Sequence, residues 1–143
     1  MPWGISYRVN LDGYHLENHY WFYRDGETHD AHARLTASPH AGGGAAHAAL
    51  ICPSLLPCHT ICFATKPRAD GLYFSRLTTS QTLGFLAESS PQTAEATETL
   101  RSLLTSHRAE FAHARWDLGF DFHAPSPTAD HAPIHKVGLH GIF

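Results

Sequence analysis

A chain of 143 residues with 43% hydrophobic and 16% charged side chains can bury a core without disulfide or metal staples and is too apolar to be disordered. Its formal charge of −3, counted with histidine neutral, denies it the basic footprint of a general nucleic-acid binder at neutral pH. Thirteen histidines are an excess, and protonating them below their ordinary pKa of about 6.5 would make the chain strongly cationic.

Met1-Pro2-Trp3-Gly4 shows neither a basic n-region nor an apolar h-region, so no signal peptide is expected. No run approaches ~18 consecutive apolar residues, so no membrane span is expected. Cys52, Cys58 and Cys62 then read as reduced thiols of a cytoplasmic protein.

Ile5, Tyr7, Val9 and Leu11 alternate with Ser6, Arg8 and Asn10, the period of a half-buried strand. Asp12-Gly13 suits a two-residue hairpin loop, and an aromatic-rich strand follows from Tyr14 to Tyr23. A second turn at Asp25-Gly26 leads into Thr28 to Thr36, where Ala31, Ala33 and Leu35 alternate with Asp30, His32 and Arg34. The pattern predicts a three-stranded antiparallel meander over residues 5–36.

Residues 38–44 read as a flexible loop, and Ala45 to Cys52 as a short helix stopped by Pro53. Thr60 to Thr65, Leu72 to Thr78 and Thr82 to Ala87 are predicted strands. Residues 91–115 are predicted as one long helix, with Ser90 as N-cap, Pro91 in the first turn, and an apolar stripe through Leu100, Leu104, His107 and Phe111. Trp116 to Phe122 is the last predicted strand, and the proline-broken residues 124–143 read as an irregular C-terminal arm. The expected architecture is a single α+β domain, with a curved, largely antiparallel sheet packed by one long helix.

Two-residue turns fix register, and so they fix which side chains share a face. With Asp12-Gly13 and Asp25-Gly26 as loops, Arg8 faces Glu17, Glu17 faces Arg34, and His19 faces His32. Ile5, Tyr7, Val9, Leu11, Leu16, Tyr20, Phe22, Ala31, Ala33 and Leu35 then form the core face. Arg8, His15, Glu17, His19, Trp21, Asp30, His32 and Arg34 form the other.

A solvated polar face is the plainest use of that second set, because antiparallel sheets commonly turn one face to water. Three chemical uses compete with it. His15, Glu17 and His19, with His32 opposite, are a donor set suited to zinc or non-haem iron, though pairing of Glu17 with Arg8 and Arg34 opposes a cation, and a metal-free site is equally consistent. His15, Glu17, His19 and His32 could instead act as acids and bases on a small polar or anionic substrate, with Arg8 and Arg34 as forked donors and Trp21 as an apolar wall. Or the face, or the C-terminal arm, docks another protein in a non-catalytic module of inhibitor, immunity or accessory-subunit type.

Other motifs carry less. Cys58-His59-x-x-Cys62 lacks the second pair of a zinc knuckle, and the cysteines read as buried thiols. His29 and His32 point to opposite faces of a strand, and His107 reads as a core histidine. Asp130, His131, His135 and His140 lie in the arm, where Pro133 opposes a helix that would align them. Gly42-Gly43-Gly44 lacks the lysine of a phosphate loop.

Overall fold

Alternating apolar and polar side chains, interrupted by glycine turns, fold the N-terminal segment into β1 (Trp3–Asn10) and β2 (Gly13–Arg24). A computed structural model describes residues 3–40, 49–88, 94–123 and 134–142, the side chains of 94–97 and 135 excepted. Beyond the hairpin come α1 (Thr28–Thr36), a 3-10 turn at Pro53–Leu55, β3 (Thr60–Thr65), β4 (Asp70–Thr78), α2 (Thr79–Glu88), α3 (Ala94–Ser106), β5 (Arg115–Phe122) and β6 (Ile134–Ile142). The fold is α+β: six antiparallel strands in the order β1-β2-β3-β4-β5-β6 form one curled sheet. β1 and β6 are its edges.

Four elements differ from the expectation. Thr28–Thr36 is a helix, so the third strand of the meander is absent and β2 pairs with β3 instead. Ala31 and Leu35 are spaced i, i+4 and are buried, whereas Ala33, the residue that completed the strand alternation, is exposed. Gly26, at a φ of +89°, turns the chain from β2 into this helix. Thr82 to Ala87 also lies in a helix, α2, whose first turn has a reciprocal cap. The Thr78 Oγ1 accepts the Gln81 N–H at 3.2 Å, and Gln81 Oε1 accepts the Thr78 N–H at 2.9 Å.

The single long helix is shortened to α3 and followed by turns through residues 107–113. There Phe111 folds back onto Trp116, with ring centroids 5.3 Å apart and nearly perpendicular. Thr79 Oγ1 donates to the Phe111 carbonyl at 2.7 Å and accepts the Trp116 indole N–H at 2.9 Å, joining α2, the turns and β5. Finally, residues 134–142 of the expected arm form β6, paired along β5.

The remainder of the arm, the helix start at Ser90 and Pro91, and residues 41–48 lie outside the described residues. Ser38, at the start of the expected flexible loop, is buried and donates to the Asp70 carboxylate.

Register divides the sheet into two faces. Tyr23, Ile61, Phe63, Leu72, Phe74, Leu118, Phe120 and Phe122 share the helix-covered face and are buried. Phe120 stacks between Phe74 and Phe85 at 6.0 and 5.3 Å. α1 packs on β2 and β3, α2 on β4 and β5, and α3 on α2. The cover therefore centres on the middle of the sheet, while the far end of the β1–β2 hairpin stays outside it. Among the described residues no helix is long and apolar enough to cross a membrane.

Candidate functional site

The hairpin register decides what the expected site residues can do together. Asn10 pairs with Gly13, so Leu11 and Asp12 form the tip; the loop sits one residue earlier than expected and the pairing beside it is shifted by two, Arg8 facing His15 rather than Glu17. Tyr7 then faces Leu16, but Ser6 faces Asn18, leaving Glu17 as an extra bulged residue in β2. An extra residue inverts the alternation beyond it. His15, opposite Arg8, consequently lies on the open face of the sheet, while His19, opposite Ile5, lies on the helix side.

The six polar candidates disperse accordingly. His15 is exposed, its Nε2 3.2 Å from Asp12 Oδ2. Glu17 pairs with Arg8 at 2.5 Å, the one expected contact that forms. His19 is exposed beside Trp21, with ring centroids 5.9 Å apart. His32 sits on α1, not across from His19. Arg34, also on α1, places its guanidinium 4.2 Å from the Trp21 ring centroid and has no part in the Arg8–Glu17 pair. Among the described residues no three His, Cys, Asp or Glu side chains gather where they could hold a metal.

Arg34 thus fastens α1 to the sheet by stacking. Arg34→Ala is expected to lower stability by about 1 kcal/mol, and Arg34→Lys by less, because the flat guanidinium adds contact area to the charge attraction. Urea unfolding midpoints of the three proteins check this.

The expected core face is itself divided. Tyr20 and Phe22 lie on the open face, stacked at 6.4 Å. Trp3, Ile5, Tyr7, Val9, Tyr14 and Leu16 share the helix-side face, yet among the described residues no helix buries them: Trp3 is 71% exposed, Val9 66% and Tyr14 79%. Leu11, at the tip, is fully exposed. Seven large apolar side chains on one hairpin are far from the isolated exposed hydrophobics of an ordinary surface. The set is also continuous with the core: Trp3 pairs with Trp21, and Trp21 packs on buried Phe63 at 6.2 Å.

The open face carries a second feature. A cleft of about 320 Å³ is lined by Tyr73, Asp117, Asp121, Lys136 and His140 over a floor of Gly119 and Gly138. Lys66 reaches in from the β3–β4 turn to pair with Asp121. Burial alone would pull the Lys66 ammonium down, but hydrogen bonds and charge from Asp121 and Tyr73 hold it above its usual value. Burial also raises the Tyr73 phenol, against the opposing hydrogen bond from Lys66. Lys66, Tyr73 and Asp121 escaped the sequence reading. The available signal was glycine inside strands, at Gly71 and Gly119, which marks close approach of another group.

The three cysteines are free, and burial pushes Cys58 to about 11 and Cys62 to about 12. At neutral pH both are thiols, poor nucleophiles and poor metal ligands.

Helices seal one face of the sheet, a paired lysine and aspartate close part of the other, and an apolar hairpin extends past both. No protein-family model matches the chain, and no curated protein or solved structure matches it either.

Proposed function

We propose that the chain is a non-catalytic binding module that docks a protein surface on the apolar face of its β1–β2 hairpin. The observation that carries this reading is the uncovered set from Trp3 to Leu16, aligned on one face and continuous with the core. Exposed apolar area on this scale is unfavourable in water and becomes favourable when a partner covers it. An inhibitor, immunity or accessory-subunit role suits such a surface, since each works by burial rather than by turnover.

Acid–base handling of a small polar or anionic substrate by His15, Glu17, His19 and His32 has weaker support. These groups share no face, and Glu17 is held by Arg8. A lipid surface is a poorer match than a protein. The hairpin's only basic side chains of fixed charge are Arg8, paired with Glu17, and Arg24, so the attraction to anionic headgroups is small.

The test is site-specific photocrosslinking in the cells that make the protein. A photoreactive residue at Val9 is expected to give a discrete protein adduct that Tyr7→Asp abolishes, while the same residue at Ser102 on α3 gives none. Absence of any Val9 adduct overturns the reading.

A further inference from the structure

We infer that the surface seated on the hairpin face is the same face of a second copy of this chain, the two stacked about a twofold axis. This rests on the binding-module reading and names its partner. Three observations point to it.

The first is area. Three aromatics worth about 150–250 Å² each when buried, with their aliphatic neighbours, offer on the order of 800 Å² per protomer, the amount that a stable interface of standard size buries on each side. The second is charge. Arg8 and Glu17 pair with each other, and both Arg8 and His15 lie on the opposite face of the hairpin. Two copies can therefore approach without bringing Arg8 or Glu17 together. Among the described residues, the groups charged at or near neutral pH that do share this face are His19, opposite Ile5, and Arg34, stacked on Trp21 at its inner edge. The stretch from Tyr7 to Leu16 thus selects neither a strongly acidic nor a strongly basic partner.

The third is continuity. An apolar face that continues from Phe63 through Trp21, on which Arg34 stacks, to Trp3 resembles the edge of a core cut in half, the character of obligate homodimer interfaces. Face-to-face stacking of the hairpins, at the ~10 Å spacing of packed sheets, would interleave Tyr7, Val9 and Leu16 with their copies.

The experiment is light scattering and sedimentation equilibrium on the purified full chain over a concentration series. The expected result is twice the monomer mass. Tyr7→Asp/Val9→Asp should raise the dimer Kd by roughly a hundredfold or more, since a central charge is buried unpaired in the dimer alone. Leu11→Asp/Tyr14→Asp provides a second variant at the tip, where neither side chain supports the fold, and it should weaken the dimer in the same direction.

A wild-type monomer overturns the inference, as does a dimer that both variants leave intact. A monomer whose Val9 adduct in cells is a different protein overturns the inference and leaves the binding-module reading standing. A monomer without any Val9 adduct overturns both. So does a monomer whose hairpin tryptophan fluorescence shifts to the blue only with phosphatidylcholine–phosphatidylglycerol vesicles, because the occupant is then lipid. A monomer with Trp3 shielded from aqueous quenchers identifies the chain's own residues as the cover and likewise overturns both.

Discussion

Lys66→Met should lower stability by about 2–3 kcal/mol, a Tm decrease of roughly 6–12 °C, because it leaves the Asp121 carboxylate buried without its cation. Asp121 is 9% exposed, and a Cβ on Gly71 would stand only 2.8 Å from its Oδ1, so the carboxylate is closed in on its β4 side and reaches water only through the cleft. Removing the other partner is milder. In Asp121→Asn the Lys66 ammonium can swing on its flexible stem toward solvent, and a loss of about 1 kcal/mol is expected, near that of an ordinary hydrogen bond. The double variant Lys66→Met/Asp121→Asn should recover much of the loss, since no unpaired charge remains. A double-mutant cycle by urea unfolding measures that coupling.

The pH dependence has a definite sign. Lys66 is held above its usual value in the folded state, so its stabilisation is fully present below the unfolded pKa of about 10.4 and is lost as pH rises through the folded value. Tyr73, also raised, acts in the same direction. The gap between wild type and Lys66→Met should hold steady through the neutral range and narrow under strongly alkaline conditions. A gap that closes near neutrality would mean that the pair is solvated and that this end of the cleft is open to an ionised ligand.

The two kinds of pattern in the chain were not equally legible before folding. β3, β4 and β5 announce themselves, because Ile61-Cys62-Phe63, Leu72-Tyr73-Phe74 and Trp116 to Phe122 combine β-branched or aromatic residues with glycine or proline flanks. α1 does not, since Ala31, Ala33 and Leu35 satisfy a strand period while Ala31 and Leu35 alone satisfy a helical one. Alanine is too small to signal which positions are buried. α2 was recoverable in principle from Thr78-Thr79-Ser80-Gln81, a capping box ahead of Leu83, Phe85 and Leu86. β6 is obscured by the prolines before it, although Val137 and Leu139 keep the alternation.

The site depended on a feature that composition cannot encode. The bulge at Glu17 inverts the face of every residue beyond it, so His15 and His19 separate although their spacing of four is even. Lys66 and Asp121, 55 residues apart in sequence, meet only because β3, β4 and β5 lie side by side. The apolar character of the hairpin was plain from the outset. Its exposure was not, because the helix expected to cover it packs on α2 instead.

Gly119→Ala should be the most damaging single-methyl change on the open face, costing about 2–3 kcal/mol through overpacking. A Cβ there would stand 2.4 Å from Tyr73 Cδ1 and 2.7 Å from Cε1, so the ring must leave its place. Its other edge already lies close over Gly71, where a Cβ would be only 3.1 Å from Tyr73 Cε2, so the ring can yield only outward into the cleft and gives up its packing on β4 and β5. Gly138→Ala is the control. It neighbours Gly119 across β5 and β6, but its Cβ would meet nothing closer than the Gly119 carbonyl at 4.0 Å. Relief of glycine's backbone entropy should make it neutral or stabilising by up to roughly 0.5–1 kcal/mol. If Tyr73 is the obstacle, Tyr73→Ala should remove most of the Gly119→Ala penalty, which thermal unfolding of the four proteins in the cycle would measure. An additive result would mean that the damage comes from the β5 backbone itself, and the Tyr73 ring would then be a movable wall of the cleft rather than a fixed one.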